Sequence, residues 1–270
     1  MNADRISALI GKELREFRAS PGQLVPVVLL IAVATAVPFA VTVLVPWGTG
    51  KALTSDRTFL QVITLARART ADLAALPLET AVQAFLFQQF LVLYLIAPIV
   101  GAVSLAAYSV VGEKQGRTLE PLLTSPLSTA EILIAKVLAS FLPSLAIEGV
   151  GLCLYGALIA AVAPPAVVWS LLSFRSLLLV GVLGPFASLS ALQATIAVSS
   201  RVNDPRSAQQ VAVLLVLPLV GMAVGQMAGV FFVTTAILVL LCLGAIAAWV
   251  VLILLSVALF ERESILTRWT

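Results

Sequence analysis

Long stretches of this sequence contain no aspartate, glutamate, lysine or arginine, and they restrict the fold more than any other feature. They include the stretches from Ala19 to Gly50, Thr80 to Gly112, Ser176 to Ser200 and Ser207 to Phe260. A helix needs about 20 apolar residues to cross the hydrocarbon core of a bilayer. With 61% hydrophobic and 11% charged residues, the chain also has too little polar surface for a water-soluble domain. The sequence therefore predicts an all-α integral membrane protein.

The apolar stretches divide into six predicted transmembrane helices. The longest stretch, 207–260, would extend about 80 Å as a single helix, which is far more than a bilayer, so we expect it to fold back. Small and polar residues suggest that the turn lies near Gly225, Gln226, Gly229 and Thr234. The predicted spans are 24–45, 84–110, 132–161, 169–198, 208–230 and 233–260. They form one transmembrane domain, 21–270, which follows a separate N-terminal segment, 1–20.

The distribution of basic residues predicts the orientation in the membrane. With six spans both termini lie on one side, which carries Arg5, Lys12, Arg15, Arg18, Lys114, Arg117, Lys136, Arg201, Arg206, Arg262 and Arg268. The other side carries only Lys51, Arg57, Arg67 and Arg69, all in one loop, while Arg175 lies near the end of the fourth span and can snorkel. The positive-inside rule therefore places both termini in the cytoplasm of a protein of the inner (plasma) membrane.

The N-terminal segment, 2–18, has the pattern of an amphipathic helix. Apolar residues recur at helical spacing on one face: Ile6, Leu9, Ile10, Leu14 and Phe17. Such a helix lies in the membrane interface, and Pro21-Gly22 then breaks it so that the chain can enter the bilayer. The pattern fits a simple membrane anchor and a mechanical role equally well.

The loop between the second and third spans, 112–131, combines charges with an apolar edge. Thr118 is placed to cap a short helix whose exposed edge would contain Leu119, Leu122 and Leu123. An apolar edge among charged residues is typical of a docking surface. After this helix, the sequence from Ser128 to Glu131 predicts a capping box at the start of the third span.

This loop resembles the signature of ABC type-2 transporter permeases. The resemblance is carried by Glu113, Lys114, Gln115, Gly116, Arg117, Thr118, Leu119 and Glu120, followed by Leu122-Leu123, Ser125-Pro126, Ile132 and Lys136. The sequences 12–15, 204–210 and 260–263 are also similar to that family, and span number and order agree along the whole chain. Pro121 departs from the pattern and would shorten the helix in the loop.

The resemblance implies a permease that dimerises with a second copy or a homologous chain and couples to separate ATPase subunits, in the manner of an exporter. Segment 2–18 would be the connecting helix. The loop would hold the coupling helix, with contacts to the ATPase from Glu113, Gly116, Arg117, Thr118, Leu119, Glu120, Leu122 and Leu123. ATP and magnesium would be bound by the ATPase, and this chain would bind no cofactor of its own. Membrane lipid is the other expected partner, and no nucleic acid is expected.

A few polar and small residues inside the spans are candidates for the translocation pathway or for helix packing. Glu148 is the only acidic residue within an apolar span, so it is either a pathway residue or a protonated structural group, and pairing with Arg175 stays open. Gln88 and Gln89 lie near the outer end of the second span, where they either line a vestibule or sit at the interface. Gly221, Gly225 and Gly229 form a strip for close packing, within one chain or at a dimer seam.

Several functions are disfavoured by what the sequence lacks. It has no Walker-type phosphate loop, no zinc signature, no histidine and no Gly-x-Ser-x-Gly elbow, so ATP hydrolysis, metal binding and intramembrane hydrolysis are not expected of this chain. Cys153 and Cys242 lie in apolar stretches and are expected only to pack. The alternative to an ABC permease is a gradient-driven secondary transporter in which Glu148 relays a proton or ion. An intramembrane enzyme or an assembly factor is less favoured.

Overall fold

A computed structural model describes residues 3–19, 21–55, 57–118, 127–199, 204–230 and 232–259. Within these ranges the regular structure is helical and no strand occurs. The helices are α1 (Ala3–Ala19), α2 (Val25–Thr49), α3 (Arg57–Arg69), α4 (Ala71–Ala74), α5 (Leu78–Gln115), α6 (Thr129–Val162), α7 (Pro165–Leu171), α8 (Phe174–Ser199), α9 (Pro205–Met227) and α10 (Thr235–Leu259). Single π-helical turns interrupt α2 at Ala40–Leu44 and α8 at Leu179–Leu183.

Among the residues that the structure describes, five helices are long and apolar enough to cross a membrane: α2, α5, α6, α8 and α10. They correspond to five of the six predicted spans, and the all-α membrane fold is confirmed at this level. The predicted fifth span corresponds to α9, whose described side chains are continuous only over the apolar segment Val216–Met227, so the number of six spans stays a prediction. The fourth span begins at Phe174 and not at residue 169, because Ser173 accepts a hydrogen bond from the Ser176 amide and starts a new helix after α7.

Local sequence signals explain where the helices begin and end. The predicted capping box is confirmed, since the Glu131 amide donates to Ser128 Oγ (3.2 Å) and the Ser128 amide donates to Glu131 Oε2 (2.9 Å). After α9 the chain turns at Gly229, whose φ of 71° is easily adopted by glycine. The Val230 amide there donates to the Gly225 carbonyl (3.0 Å), which closes a Schellman motif. This turn separates α9 from α10 within the apolar stretch, close to the predicted place.

α5 is the central helix of the bundle. In its most apolar window 89% of the residues are buried, against 11% for α10, and it packs against α2, α6, α8 and α9. Glycines allow the closest approaches: a β-carbon added at Gly101 of α5 would lie 2.7 Å from Ser144 Oγ of α6. The other helices expose rows of large apolar side chains, including Leu29, Val150 and Leu254, which suits an outer surface that faces lipid.

The two ends of the bundle are built differently. At one end, called the base below, α1 packs its apolar face on α6, with Leu9 in a cluster that includes Val110 and Ile132. At the opposite end, called the far end below, α3 and α4 cover the bundle with Ile63, Ala66 and Leu73. These two short helices lie in the loop between the first and second spans.

Candidate functional site

The base of the bundle contains a cluster of charged side chains from three helices, all of them buried except the partly exposed Lys12. α1 contributes Lys12 and Glu13, α5 contributes Glu113, and α6 contributes Lys136. Glu13 reaches the inside because it lies on the same face as Leu9 and Phe17, at four-residue spacing, and all three residues are buried. The cluster therefore joins the amphipathic helix to the helices on both sides of the predicted docking loop.

Lys136 is the centre of this cluster. Its ammonium lies 2.8 Å from Glu113 Oε2 and 3.0 Å from Glu13 Oε1, and it donates a third contact of 2.7 Å to Ser109 Oγ. The contacts to Glu13 and Ser109 are hydrogen bonds, whereas the contact to Glu113 is an ion pair whose Oε2 accepts no hydrogen bond from the described residues. Its side chain is 0% exposed, as expected for a charge that keeps its partners when buried.

Lys12 connects the same carboxylates to the surface. It donates to Glu113 Oε1 (2.7 Å) and lies 3.8 Å from Glu13 Oε1 and 3.3 Å from Glu16 Oε1. Because Lys12 is 40% exposed and Lys136 is enclosed, Glu113 is held between one lysine at the surface and one in the interior. The carboxylate of Glu113 therefore fixes the end of α5 against both α1 and α6.

Two pKa shifts make this cluster sensitive to extreme pH. Burial opposes ionisation of Glu13, but the charge of Lys136 and hydrogen bonds from Ser109 and Lys136 outweigh it and lower the pKa of Glu13 below its usual 4.5. Burial likewise opposes the charge of Lys12, yet the hydrogen bond and charge of Glu113 raise the pKa of Lys12 above 10.5. Both shifts favour the ionised cluster.

We expect the contribution of this cluster to the thermal stability of the chain to be constant between about pH 4.5 and 10.5. The contribution of Glu13 is present above pH 4.5 and is lost as the pH falls through its lower folded pKa. That of Lys12 is present below pH 10.5 and is lost as the pH rises through its raised folded pKa. Melting curves of wild type and Glu13→Gln against pH check this, and an equally steep acid limb in both proteins would contradict it.

The chain leaves α5 through a strained turn. Arg117 has a φ of 54°, the left-handed conformation that usually selects glycine and costs other residues about 1–2 kcal/mol. The turn is closed by hydrogen bonds from the Arg117 amide to the Lys114 carbonyl (3.1 Å) and from the Thr118 amide to the Glu113 carbonyl (2.9 Å). Glu113 therefore anchors the exit to the docking loop with its side chain and its backbone.

The predicted docking residues fall into three groups. Glu113 is buried in the ion-pair cluster, so its side chain acts inside the protein. Gly116, Arg117 and Thr118 are exposed at the end of α5, and Thr118 lines a groove of about 320 Å³ together with Glu16, Phe17 and Tyr108. The predicted coupling-helix residues Leu119, Glu120, Leu122 and Leu123 lie outside the described residues.

Glu148 is a buried residue of α6, three positions before Gly151. It is 2% exposed, and its Oε1 has no hydrogen-bond partner in the described part of the chain. On the same face of α6, Gly151 packs against Ile31 and Tyr94. Among the described ion pairs none joins Glu148 to Arg175, which donates instead to Gln226 Oε1 (3.3 Å).

The two glutamines of the second span lie at the far end. Both line a cavity of about 40 Å³, into which Arg175 and Gln226 also project. Gln88 Nε2 donates to the Ser170 carbonyl (2.9 Å), and Gln89 Nε2 lies 3.5 Å from the Ala223 carbonyl. Arg175 Nη2 donates to Gln226 Oε1, and the snorkelling of Arg175 toward the interface stays a prediction.

The three glycines of the predicted strip have different surroundings. Gly221 is exposed, and a β-carbon there would meet nothing within 4 Å. Gly225 supplies the carbonyl that closes the turn, while Gly229 lies after the end of α9. The dimer seam stays a prediction, for which Gly221 is the best-placed of the three.

From the sequence, Glu13 and Ser109 received no role and Lys136 received no partner. One signal was available: Glu13 interrupts the apolar face of α1 midway between Leu9 and Phe17. An acidic residue at that position needs a buried cation, and Lys136 is the lysine within the third predicted span. No group of three Cys, Asp or Glu side chains suited to a metal occurs in the part of the chain that is described.

Comparison with known proteins agrees with the resemblance to ABC type-2 permeases that the sequence shows. The profile of the family described as "ABC-2 family transporter protein" matches residues 7–241, which is most of the sequence. A search of curated proteins and a search of solved structures each found no significant match.

Proposed function

This chain belongs to the ABC-2 family of transporter proteins, and we propose that it is a permease that converts the movement of a partner ATPase into opening and closing of a transport path. Membership in the family implies an ABC ATPase subunit as partner. The ATPase would bind ATP and magnesium and would dock on the loop 112–131. Two permeases, identical or homologous, would enclose the path, and the direction of transport would be export.

The ion-pair cluster at the base is the observation that best supports coupling through this loop. A docking loop transmits force only when it is attached firmly to the helices that move. Glu113 lies at the exit to the loop and is bound by Lys12 of α1 and by Lys136 of α6. A displacement of the loop would therefore move α1, α5 and α6 together.

The orientation proposed from the charges agrees with this arrangement. The base contains the amphipathic helix and the loop, and it would face the cytoplasm, where ATP is available. α1 would lie in the membrane interface with its exposed residues Arg5, Arg15 and Arg18 toward the lipid headgroups. The far end, covered by α3 and α4, would face the outside of the inner or plasma membrane.

The test of this function is uncoupling of the transporter by changes in the loop. The chain is co-purified with its ATPase from the native membrane and reconstituted in liposomes. We expect Glu120→Ala or the double change Leu122→Ala and Leu123→Ala to lower transport per ATP hydrolysed by about tenfold or more, because the docking edge is lost. Leu172→Ala is the control, since Leu172 is an exposed leucine near the far end. Wild-type coupling in both loop variants would reject the docking assignment.

The second candidate is a secondary transporter that uses Glu148, favoured by the buried and unpartnered oxygen of that residue. The same liposomes separate the two functions. Transport driven by an ion gradient without ATP, and lost in Glu148→Gln, would support this candidate. Transport that needs ATP and persists in Glu148→Gln would support the ABC permease.

A further inference from the structure

The far-end cavity brings a cationic side chain together with amide groups in an apolar setting. Its polar lining consists of Gln88, Gln89, Gln226, Arg175, Ser176 and Thr70. The remaining lining is apolar and comes from α3 and α4 above and from α5, α8, α9 and the start of α10 at the sides. Gln89 and Gln226 are 6% and 3% exposed, so these amides belong to the interior and not to the lipid boundary.

Arg175 has far more hydrogen-bonding capacity than its surroundings use. A guanidinium carries five N–H donors, and within the described residues Arg175 makes one hydrogen bond, to the neutral Gln226 Oε1. Asp72 acts on it electrostatically, but this carboxylate is exposed and does not come within 4 Å. Partly buried cations of this kind are costly unless an anion pairs with them.

Gln226 holds the guanidinium in place. Its Oε1 accepts both from Arg175 Nη2 (3.3 Å) and from the backbone amide of Val233 (3.3 Å), so the end of α9 and the start of α10 are tied to the arginine. The Gln88 and Gln89 amides are likewise fixed by backbone carbonyls of Ser170 and Ala223. The polar groups are thus positioned before any ligand arrives, which reduces the cost of binding.

We propose that this cavity binds the anionic oxygen group of an amphiphilic molecule, with Arg175 as the charge partner. The cavity of about 40 Å³ exceeds the roughly 10–15 Å³ that one water molecule needs, so it has room for a carboxylate or the charged oxygens of a phosphate. The apolar part of the ligand lies along Phe85, Leu179 and Phe232, which line the same space. Arginine suits this role because its fork matches both oxyanions.

The experiment measures binding to the purified full-length chain in an uncharged detergent by native mass spectrometry. Two probe pairs differ chiefly in the anionic group: oleate against oleyl alcohol, and phosphatidylglycerol against phosphatidylcholine. The variants are Arg175→Gln and, as a control with the same loss of charge, Arg69→Gln, because Arg69 is exposed on α3 and does not line the cavity. Gln226→Leu keeps the charge and removes the acceptor that orients it.

We expect Arg175→Gln to weaken binding of oleate, phosphatidylglycerol or both by at least about tenfold, as for loss of a charge-assisted bidentate contact. Arg69→Gln should bind as wild type does, and Gln226→Leu should be intermediate. A preference for oleate identifies a carboxylate site, and a preference for phosphatidylglycerol identifies a phosphate site. The proposal is overturned if Arg175→Gln and Gln226→Leu bind both anionic probes as wild type does, or if wild type binds the neutral analogues equally well.

This inference names a ligand class for the proposed transport function, but its test needs neither ATP nor the ATPase. Loss of the anion site would therefore leave the coupling proposal intact. Conversely, failure of the loop variants to uncouple transport would leave the binding result standing.

Discussion

Lys136→Met is expected to lower the free energy of unfolding by about 3–5 kcal/mol, the range found when one partner of a buried ion pair is removed. The change leaves Glu13 and Glu113, which are 0% and 4% exposed, without the ammonium that contacts both. Lys12 remains close to both carboxylates but is 40% exposed, so it compensates only in part. Denaturant unfolding of the chain in detergent micelles measures the effect.

Two further variants make this prediction specific to the ion pairs. Lys51→Met also removes one positive charge, but Lys51 is exposed at the other end of the first span, and no loss of stability is expected. The double change Lys136→Met with Glu113→Gln removes the charges of Lys136 and of one of its two glutamate partners. It leaves fewer unpaired buried charges, so it should be less destabilising than Lys136→Met alone. If Lys136→Met unfolds at the same denaturant concentration as Lys51→Met, the cluster does not hold the base together.

The same variant should also weaken coupling in the assembled transporter. With Lys136 replaced, α6 loses its contacts to Glu13 of α1 and Glu113 of α5, so movement of the loop no longer reaches α6 through these charges. ATP hydrolysis should continue, since the ATPase sites lie on the partner. Transport per ATP should fall, and this readout separates a mechanical role from stability alone.

Gly151→Val is expected to destabilise the bundle by about 1–3 kcal/mol, the usual cost of overpacking. A β-carbon added there would lie 2.7 Å from Cγ2 of Ile31 and 3.4 Å from a ring carbon of Tyr94. The first of these atoms belongs to a β-branched side chain of α2 that cannot rotate away cheaply, so α2 and α6 must separate. Unfolding in detergent, followed as for Lys136→Met, measures the loss.

Gly149→Val is the matched control because it lies two residues away on the same helix. A β-carbon at Gly149 meets nothing within 4 Å, so this change should alter stability by no more than about 0.5 kcal/mol. Equal stability of the two valine variants would show that α2 and α6 are not in close contact at Gly151 and Ile31.

The membrane fold could be predicted from the sequence because it depends on local properties. Apolar stretches such as Thr80–Gly112 must cross the bilayer as helices, since backbone groups in hydrocarbon can be satisfied only internally. Caps and breaks are equally local, and the capping box at Ser128 and the turn near Gly229 follow from a few neighbouring residues. The start of the fourth helix was placed too early, because an apolar pattern does not reveal where Ser173 opens a new helix.

The candidate sites depend on contacts between residues that are distant in the sequence. Glu13 and Lys136 are separated by 123 positions, and Arg175 and Gln226 by 51, and no periodicity relates either pair. Whether a charge in an apolar segment meets a partner, a cavity or lipid is decided only when the helices pack. The sequence by itself determined that this chain is a bundle of membrane helices with the pattern of an ABC-2 permease. Only the tertiary structure decided that Glu113 is an internal anchor and that Arg175 faces a cavity, because burial and pairing are properties of the packed bundle.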